Sequence, residues 1–264
     1  MGGHEGGEEA SAIAIQDLSQ TFAPMVTLPT EAELLKAVCH ANQLIYEQNE
    51  SQQRRDLARM GTTLVMLLCA QDRVMLTHVG DSRIYQIVEG GQGAKLLQCT
   101  RDHELANHLM DVGVSPSVAR ARADAHQLTQ ALGPKHEQAI APALQSIPLQ
   151  ESCLFLLCSD GLSDFDVIEN HWQEHLLPLL HPDADLQQGL DAFMDLGDRL
   201  NGHDNLTAIM VRCLLPPSPA TTLEEPNFFS DIPSTLITLP EPEPSAQPPE
   251  PANSLIGDFW FKGG

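Results

Sequence analysis

One stretch of the sequence, residues 153–164 (CLFLLCSDGLSD), constrains the fold more than any other. Its first six residues are continuously apolar, and Ser159-Asp160-Gly161 follows them directly. A short apolar run that ends in turn-forming residues predicts a buried strand that ends in an acidic turn. A carboxylate at a strand end is held rigidly and partly desolvated, as a metal site requires. Taken alone, Asp160-Gly161 is more often an ordinary turn, so the rest of the chain decides.

The charge and the cysteines limit the partners and the compartment. The 264 residues carry 36 acidic against 14 basic side chains and a net charge of -22. Nucleic acids and anionic membranes bind basic surfaces, so we expect neither as a partner. The six cysteines include no CxxC pair, there is no signal peptide, and no apolar run approaches the ~18 residues of a membrane span. We therefore expect a cytoplasmic, monomeric protein with free thiols.

The periodicity of the chain indicates an α+β fold. Helical patterns cover residues 10–18 and 30–51, the second opened by a capping box of Thr30 and Glu33. Strand patterns with short connections follow at 62–69, 74–79 and 83–88, which predicts an antiparallel sheet.

The second half of the chain mixes an inserted segment, further helices and a final strand. Residues 100–133 form a polar helical segment, with one helix from 104 to 112 and another from 115 to about 125, and we interpret the segment as a lid beside a site. Beyond the strand at 153–158, we predict helices over 164–180 and 185–200 and a final strand over 206–214.

The composition changes at about residue 215. Residues 215–264 hold 11 of the 19 prolines and seven acidic residues against one lysine. This composition is typical of a disordered or extended tail. The apolar and aromatic stretch at 254–261 could dock on a partner or on the chain's own domain, and an unstructured end is an equally good interpretation.

Three aspartates, Asp81, Asp160 and Asp204, stand at predicted strand ends without a Cys or His cluster at ligand spacing. Such a set suggests hard cations, because Mg²⁺ and Mn²⁺ prefer oxygen ligands. Two such ions about 4 Å apart can activate a water and clamp a phosphoryl group. No GxSxG, P-loop or dinucleotide-binding motif is present. Four histidines fall near these aspartates but are more often surface or structural residues: His78, His103, His126 and His203.

Six short motifs in order resemble those of the metal-dependent protein phosphatases, the type 2C (PPM) family of Ser/Thr phosphatases, in their bacterial form. They are GTT at 61–63, HVGDSRIY at 78–85, TRDH at 100–103, LTQALG at 128–133, LLCSDGL at 156–162 and GHDNLTAIMV at 202–211. The opening MGGHEGGEEAS is similar to the end of that family's DGMGGHxGGExAS segment.

The resemblance implies a phosphatase domain over residues 1–214 with a flap at about 100–126, followed by a tail over 215–264. The implied fold is a four-layer α-β-β-α sandwich with two mostly antiparallel sheets. Asp160 and Asp204 would bind two catalytic Mn²⁺ or Mg²⁺ ions, and Asp81 a third, weaker one. The implied reaction is hydrolysis of phosphoserine and phosphothreonine in proteins by metal-activated water, and phosphoproteins would be the partners.

The chain departs from the family pattern at its start. It begins at the Met of MGG, so we expect the family's preceding Asp-Gly, which supplies a shared carboxylate, to be missing together with the first strands. No catalytic group beyond the metal ligands can be assigned, since Met1 stands where some relatives carry a proposed general acid. Two hypotheses remain: a phosphatase whose start is misassigned, or a non-catalytic phosphoprotein-binding module.

Overall fold

The computed structural model describes residues 6–70, 72–91, 93–136, 139–202 and 204–215. Within them, seven strands form two antiparallel sheets, ordered β1-β2-β5 and β4-β3-β6-β7. The strands are β1 (Leu64–Cys69), β2 (Arg73–Val79), β3 (Arg83–Gly90), β4 (Gly93–Gln98), β5 (Ala143–Pro148), β6 (Cys153–Cys158) and β7 (Ala208–Cys213). The predicted antiparallel pairing is confirmed for the first two of the three consecutive strands, whereas the third, β3, lies in the other sheet.

Seven α-helices lie between and outside the strands in the same described ranges. They are α1 (Gly7–Phe22), α2 (Glu31–Ser51), α3 (Leu105–Asp111), α4 (Pro116–Arg120), α5 (Asp160–Ser163), α6 (Val167–His175) and α7 (Leu186–Asn201). The capping box of α2 is confirmed, because the Thr30 hydroxyl accepts from the Glu33 amide and the Glu33 carboxylate accepts from the Thr30 amide. This exchange satisfies two amides that a helix start leaves unpaired.

Three apolar clusters define four layers. The first packs α1 and α2 against the outer face of the β1-β2-β5 sheet through residues such as Leu18 and Ile45. The second fills the space between the sheets, around Leu76 and Phe155. The third packs α6 and α7 against the other sheet, around Phe193. This arrangement confirms the α+β fold with an α-β-β-α sandwich.

Strand β6 explains why the 153–158 run is continuously apolar. Alternate residues of a strand face opposite sides of its sheet. Cys153, Phe155 and Leu157 face the space between the sheets, whereas Leu154 and Leu156 face the helices, and all of them are buried. Because both faces of this strand lie in the core, no polar residue is tolerated until Ser159.

Several predicted boundaries are wrong. Strands β4 and β5 were not predicted, because none of their residues is buried and their sequences contain Lys, Gln and Ser. The helix predicted from 115 to about 125 ends at Arg120. The helix predicted over 164–180 is interrupted, since Phe165 and Asp166 have φ of 58° and 56°. Left-handed backbone at two non-glycine residues cannot continue a right-handed helix.

The inserted segment has a small core of its own. Helices α3 and α4 enclose Ala106, Ala119 and Ala125, separate from the three main clusters. No helix within the described ranges is long and apolar enough to cross a membrane. Residues 1–5, which begin the MGGHEGGEEAS segment, and the predicted tail from residue 216 onward lie outside the described residues.

Candidate metal centre

The strand register brings Asp81 and Asp160 to one end of the sandwich. Arg83, the first residue of β3, pairs with Cys158, the last residue of β6. Asp81 lies two residues before that pair and Asp160 two residues after it, so both carboxylates leave the same end of adjacent antiparallel strands. Gly80, with φ 110°, allows the turn that precedes Asp81, because this backbone conformation strains any residue with a Cβ.

Asp204 reaches the same end through the loop between α7 and β7. The Ser159 amide donates to the Thr207 carbonyl (3.0 Å), and the Thr207 amide donates to the Ser159 hydroxyl (3.1 Å). The buried Asn201 side chain donates to the Gly161 carbonyl (2.7 Å). These bonds connect the loop of Asp204 to the segment that carries Asp160.

The carboxylate of Asp81 is electrostatically strained. Burial, and next the negative charge of Asp160, raise the pKa of Asp81 to about 6. A buried acid with an acidic neighbour resists ionisation, and a bound cation removes that penalty. A pair of carboxylates whose charges repel each other is therefore suited to hold a cation.

The three predicted ligands do not by themselves complete the coordination of a metal ion. Asp160 Oδ1 accepts from the Gly161 amide (2.9 Å), and Asp204 Oδ1 accepts from the Asn205 amide (2.7 Å). In the part of the chain that the structure describes, no three His, Cys, Asp or Glu side chains form a metal-binding cluster. A hard cation at this site would therefore complete its coordination with water or backbone oxygen. Mg²⁺ commonly does so, so the donor set fits a hard cation.

The sequence alone does not predict the ion pair that lies beside the candidate metal centre. The Arg83 guanidinium donates to Asp102 Oδ2 (2.7 Å) and to Asp102 Oδ1 (3.2 Å), and Asp102 is only 5% exposed. Arg83 also donates to the Tyr85 hydroxyl, which donates to Glu169 on α6. The motifs at 78–85 and 100–103 contain both members of the pair, but their spacing does not show that they meet.

Two histidines stack behind Asp81. The rings of His78 and His103 are 4.7 Å apart and nearly parallel. His103 Nδ1 accepts from the Gly80 amide (3.1 Å), and burial followed by the neighbouring His78 lowers the pKa of His103 to about 4. His103 is therefore neutral at physiological pH and positions the strand end.

Of the other two candidate histidines, only His126 lies within the described residues. His126 is exposed and pairs with Glu104 (2.9 Å). His203 lies outside the described residues.

Comparison with known proteins agrees with the fold and with the motif order. The profile of the family described as Protein phosphatase 2C matches residues 1–195. The "Serine/threonine phosphatase stp" of Listeria monocytogenes is 34% identical over 216 residues, which cover 80% of this chain and 81% of that protein.

Comparison with solved structures also finds serine/threonine phosphatases. The Mycobacterium tuberculosis serine/threonine phosphatase PstP/Ppp superposes with a TM-score of 0.64 at 32% identity, covering 81% of this chain and 85% of that one. The PstP catalytic domain in complex with two manganese ions gives a TM-score of 0.61 at 32% identity and covers 80% of this chain and 83% of that one. This chain belongs to the protein phosphatase 2C family.

Proposed function

We propose that this chain is a metal-dependent phosphatase that hydrolyses phosphoserine and phosphothreonine in proteins. The observation that carries the proposal is the position of Asp81 and Asp160 at one end of adjacent strands, where the charge of Asp160 contributes to the raised pKa of Asp81. The relatives described above are serine/threonine phosphatases by name, which supports the same reaction and phosphoproteins as the substrates.

Two Mn²⁺ or Mg²⁺ ions are the proposed cofactors, with Asp160 and Asp204 as their ligands and Asp81 as the ligand of a third, weaker ion. The two manganese ions of the PstP catalytic domain support this assignment. Such ions lower the pKa of a water and offset the charge of the phosphoryl group. The chain contributes the oxygen ligands and the bonds of Ser159 and Asn201 that hold their loops together.

The segment at about 100–126 is proposed to influence the choice of substrate within a phosphatase domain of residues 1–214. Its start is attached to the strand end that carries Asp81, because the His103 amide donates to the Gly80 carbonyl (2.9 Å). Its first residues are held further by the ion pair of Asp102 with Arg83, whereas the rest of the segment packs on a small core of three alanines. A segment held to the sandwich at its start and packed lightly elsewhere can vary in sequence there without disturbing the sandwich.

The proposal is tested by measuring manganese-dependent hydrolysis of p-nitrophenyl phosphate and of a phosphothreonine peptide. We expect Asp160→Asn to lower turnover at least 100-fold, because one ligand charge is lost. Asp195→Asn makes the same chemical change on the exposed surface of α7 and should leave turnover unchanged. A peptide that binds without turnover, at every manganese concentration, would support the non-catalytic phosphoprotein-binding module instead.

A further inference from the structure

Three cysteines lie at the end of the sandwich opposite the aspartates: Cys153 and Cys213 pack in the cluster between the sheets, and Cys69 is exposed. Strand alternation directs Leu67 and Cys69 of β1 to one face, and Leu67 packs in the cluster between the sheets. Cys153 and Cys213 belong to that same cluster. Cys153 begins β6, whereas Asp160 follows its end, so the strand separates the two sites by about 17 Å.

Cys213 is the centre of this thiol group. It is the direct partner of Cys153 in the antiparallel register of β6 and β7. Its thiol also interacts with the thiol of Cys69, which arrives from the other sheet. Cys213 can therefore form a disulfide with either Cys69 or Cys153. The solvent exposure and the pKa of these two thiols decide which of them is oxidised first.

Cys69 is the accessible and acidic member. It is exposed, Cys213 is half-buried, and Cys153 is fully buried. The interaction with the Cys213 thiol outweighs the opposing effect of burial and lowers the pKa of Cys69. The interaction with Cys213 and burial raise the pKa of Cys153. The thiolate is the reactive form of cysteine, so an oxidant in solution meets a reactive sulfur at Cys69 first.

We propose that Cys69 and Cys213 form a peroxide-sensitive pair that closes a reversible disulfide between the two sheets. The Cys69 thiolate attacks hydrogen peroxide, an S–O bond forms, the O–O bond breaks, and the released hydroxide takes up a proton to become water. The Cys213 sulfur then attacks the Cys69 sulfenic acid, an S–S bond forms, and the S–O oxygen leaves as a second water with the Cys213 proton. Two thiols lose two electrons, and the peroxide gains them.

The link would join positions that are far apart in the chain. Residues 69 and 213 enclose most of the folded domain, so a disulfide between them restricts the unfolded chain strongly. It would be expected to raise the Tm of the oxidised protein by about 10 °C over the reduced protein. The pair adds an oxidant response that is independent of the proposed phosphatase activity.

The test is peptide mapping of the full chain after treatment with hydrogen peroxide, followed by blocking of the remaining thiols. We expect a peptide containing Cys69 linked to one containing Cys213, reversed by dithiothreitol, together with the increase in Tm. A link between Cys153 and Cys213, a link between two copies of the chain, or Cys69 oxidised to sulfinic acid without a link would each overturn the proposal.

Two variants distinguish loss of the disulfide from a defect in folding. Cys69→Ser changes an exposed side chain, so it should fold normally and lose both the link and the Tm increase. Cys39→Ser, which alters a cysteine on α2 outside the thiol group, should keep both. A Tm increase that persists in Cys69→Ser would show that the effect of peroxide arises elsewhere, and the proposal would be wrong.

Discussion

The carbonyl oxygen of Asn205 occupies the space where a side chain on Gly161 would begin. A Cβ placed on Gly161 would lie 2.5 Å from that oxygen and 3.6 Å from the Cβ of Asp204. Contacts under 3.0 Å force the backbone to move, and the contacted atom here is itself backbone. Gly161 therefore sets how closely the loop of Asp204 approaches the segment of Asp160.

We expect Gly161→Ala to separate these two aspartates and weaken manganese binding at least tenfold. Overpacking of this kind also costs about 1–3 kcal/mol of stability. Isothermal titration calorimetry with Mn²⁺ measures the binding, and urea unfolding measures the stability. Gly91→Ala is the matched control, since a Cβ at Gly91 meets no atom within 4 Å. Equal manganese affinity in the two variants would contradict the prediction.

The buried ion pair of Arg83 and Asp102 gives a second prediction. Asp102→Asn removes the charge that compensates Arg83, whose side chain is only 21% exposed. Removing one partner of a buried pair typically costs about 3–5 kcal/mol, and the more distant Glu169 (3.9 Å) compensates only part of the remaining charge of Arg83. We expect urea unfolding to show a loss of about 3 kcal/mol.

An exposed pair with the same closest approach provides the control for this prediction. Arg101 and Asp111 also approach to 2.7 Å, but their side chains are 58% and 61% exposed. Asp111→Asn should cost no more than about 0.5 kcal/mol, because solvent screens exposed pairs. If both variants lost the same stability, burial of Arg83 and Asp102 would not be the cause.

The sequence predicted those elements in which one physical signal dominates. The apolar run of β6, the capping box of α2 and the three aspartates at strand ends could all be read directly. Strands β4 and β5 could not, because half-exposed strands with polar residues carry a weak apolar alternation. The position of β5 depends on its pairing with β2, a strand far from it in the sequence, as in the pair Arg73 and Pro148. The position of β4 depends on its pairing with the adjacent strand β3.

The candidate ligands could be named from the sequence, but the contacts that hold their loops could not. Asp160 and Asp204 are candidate ligands because acids at strand ends and the motif order both indicate them. The bond from Asn201 to the Gly161 carbonyl joins residues 40 positions apart and has no local pattern. The interruption at Phe165 and Asp166 was equally hidden, since neither residue type favours left-handed backbone as glycine does.

Asp81 predicts a trade-off between stability and metal binding. Its pKa, raised from 3.8 to about 6, means that ionised Asp81 destabilises the folded protein above pH 6 when no cation is present. Asp81→Asn should therefore stabilise the chelator-treated protein by about 2 kcal/mol at pH 8. This gain should shrink as the pH falls through 6 and vanish below 3.8, where the native carboxyl is protonated in both states.

Urea unfolding of Asp81→Asn in EDTA, across this pH range, measures the gain. Added Mn²⁺ should stabilise the native protein more than it stabilises Asp81→Asn, because binding to the folded state adds stability. Asp195→Asn, with the same loss of charge on exposed α7, should show neither effect. A gain that is independent of pH would rule out ionisation of Asp81 as its source.

His103 predicts that the stability of the fold rises with pH, which is the opposite of the effect predicted for Asp81. Its pKa is lowered from 6.5 to about 4, so the unfolded chain binds more protons between these values. Stability is therefore complete above pH 6.5 and is lost as the pH falls toward 4. His103 is partly exposed, so we discount for solvent screening and expect a loss of about 1 kcal/mol between pH 7 and pH 5.

The variant His103→Asn isolates this contribution. Asn Oδ1 can accept from the Gly80 amide as His103 Nδ1 does, but it does not titrate in this range. The difference in unfolding free energy between native protein and variant should change by about 1 kcal/mol from pH 7 to pH 5. A flat difference for His103→Asn would mean that the stacked histidine titrates as freely as in the unfolded chain.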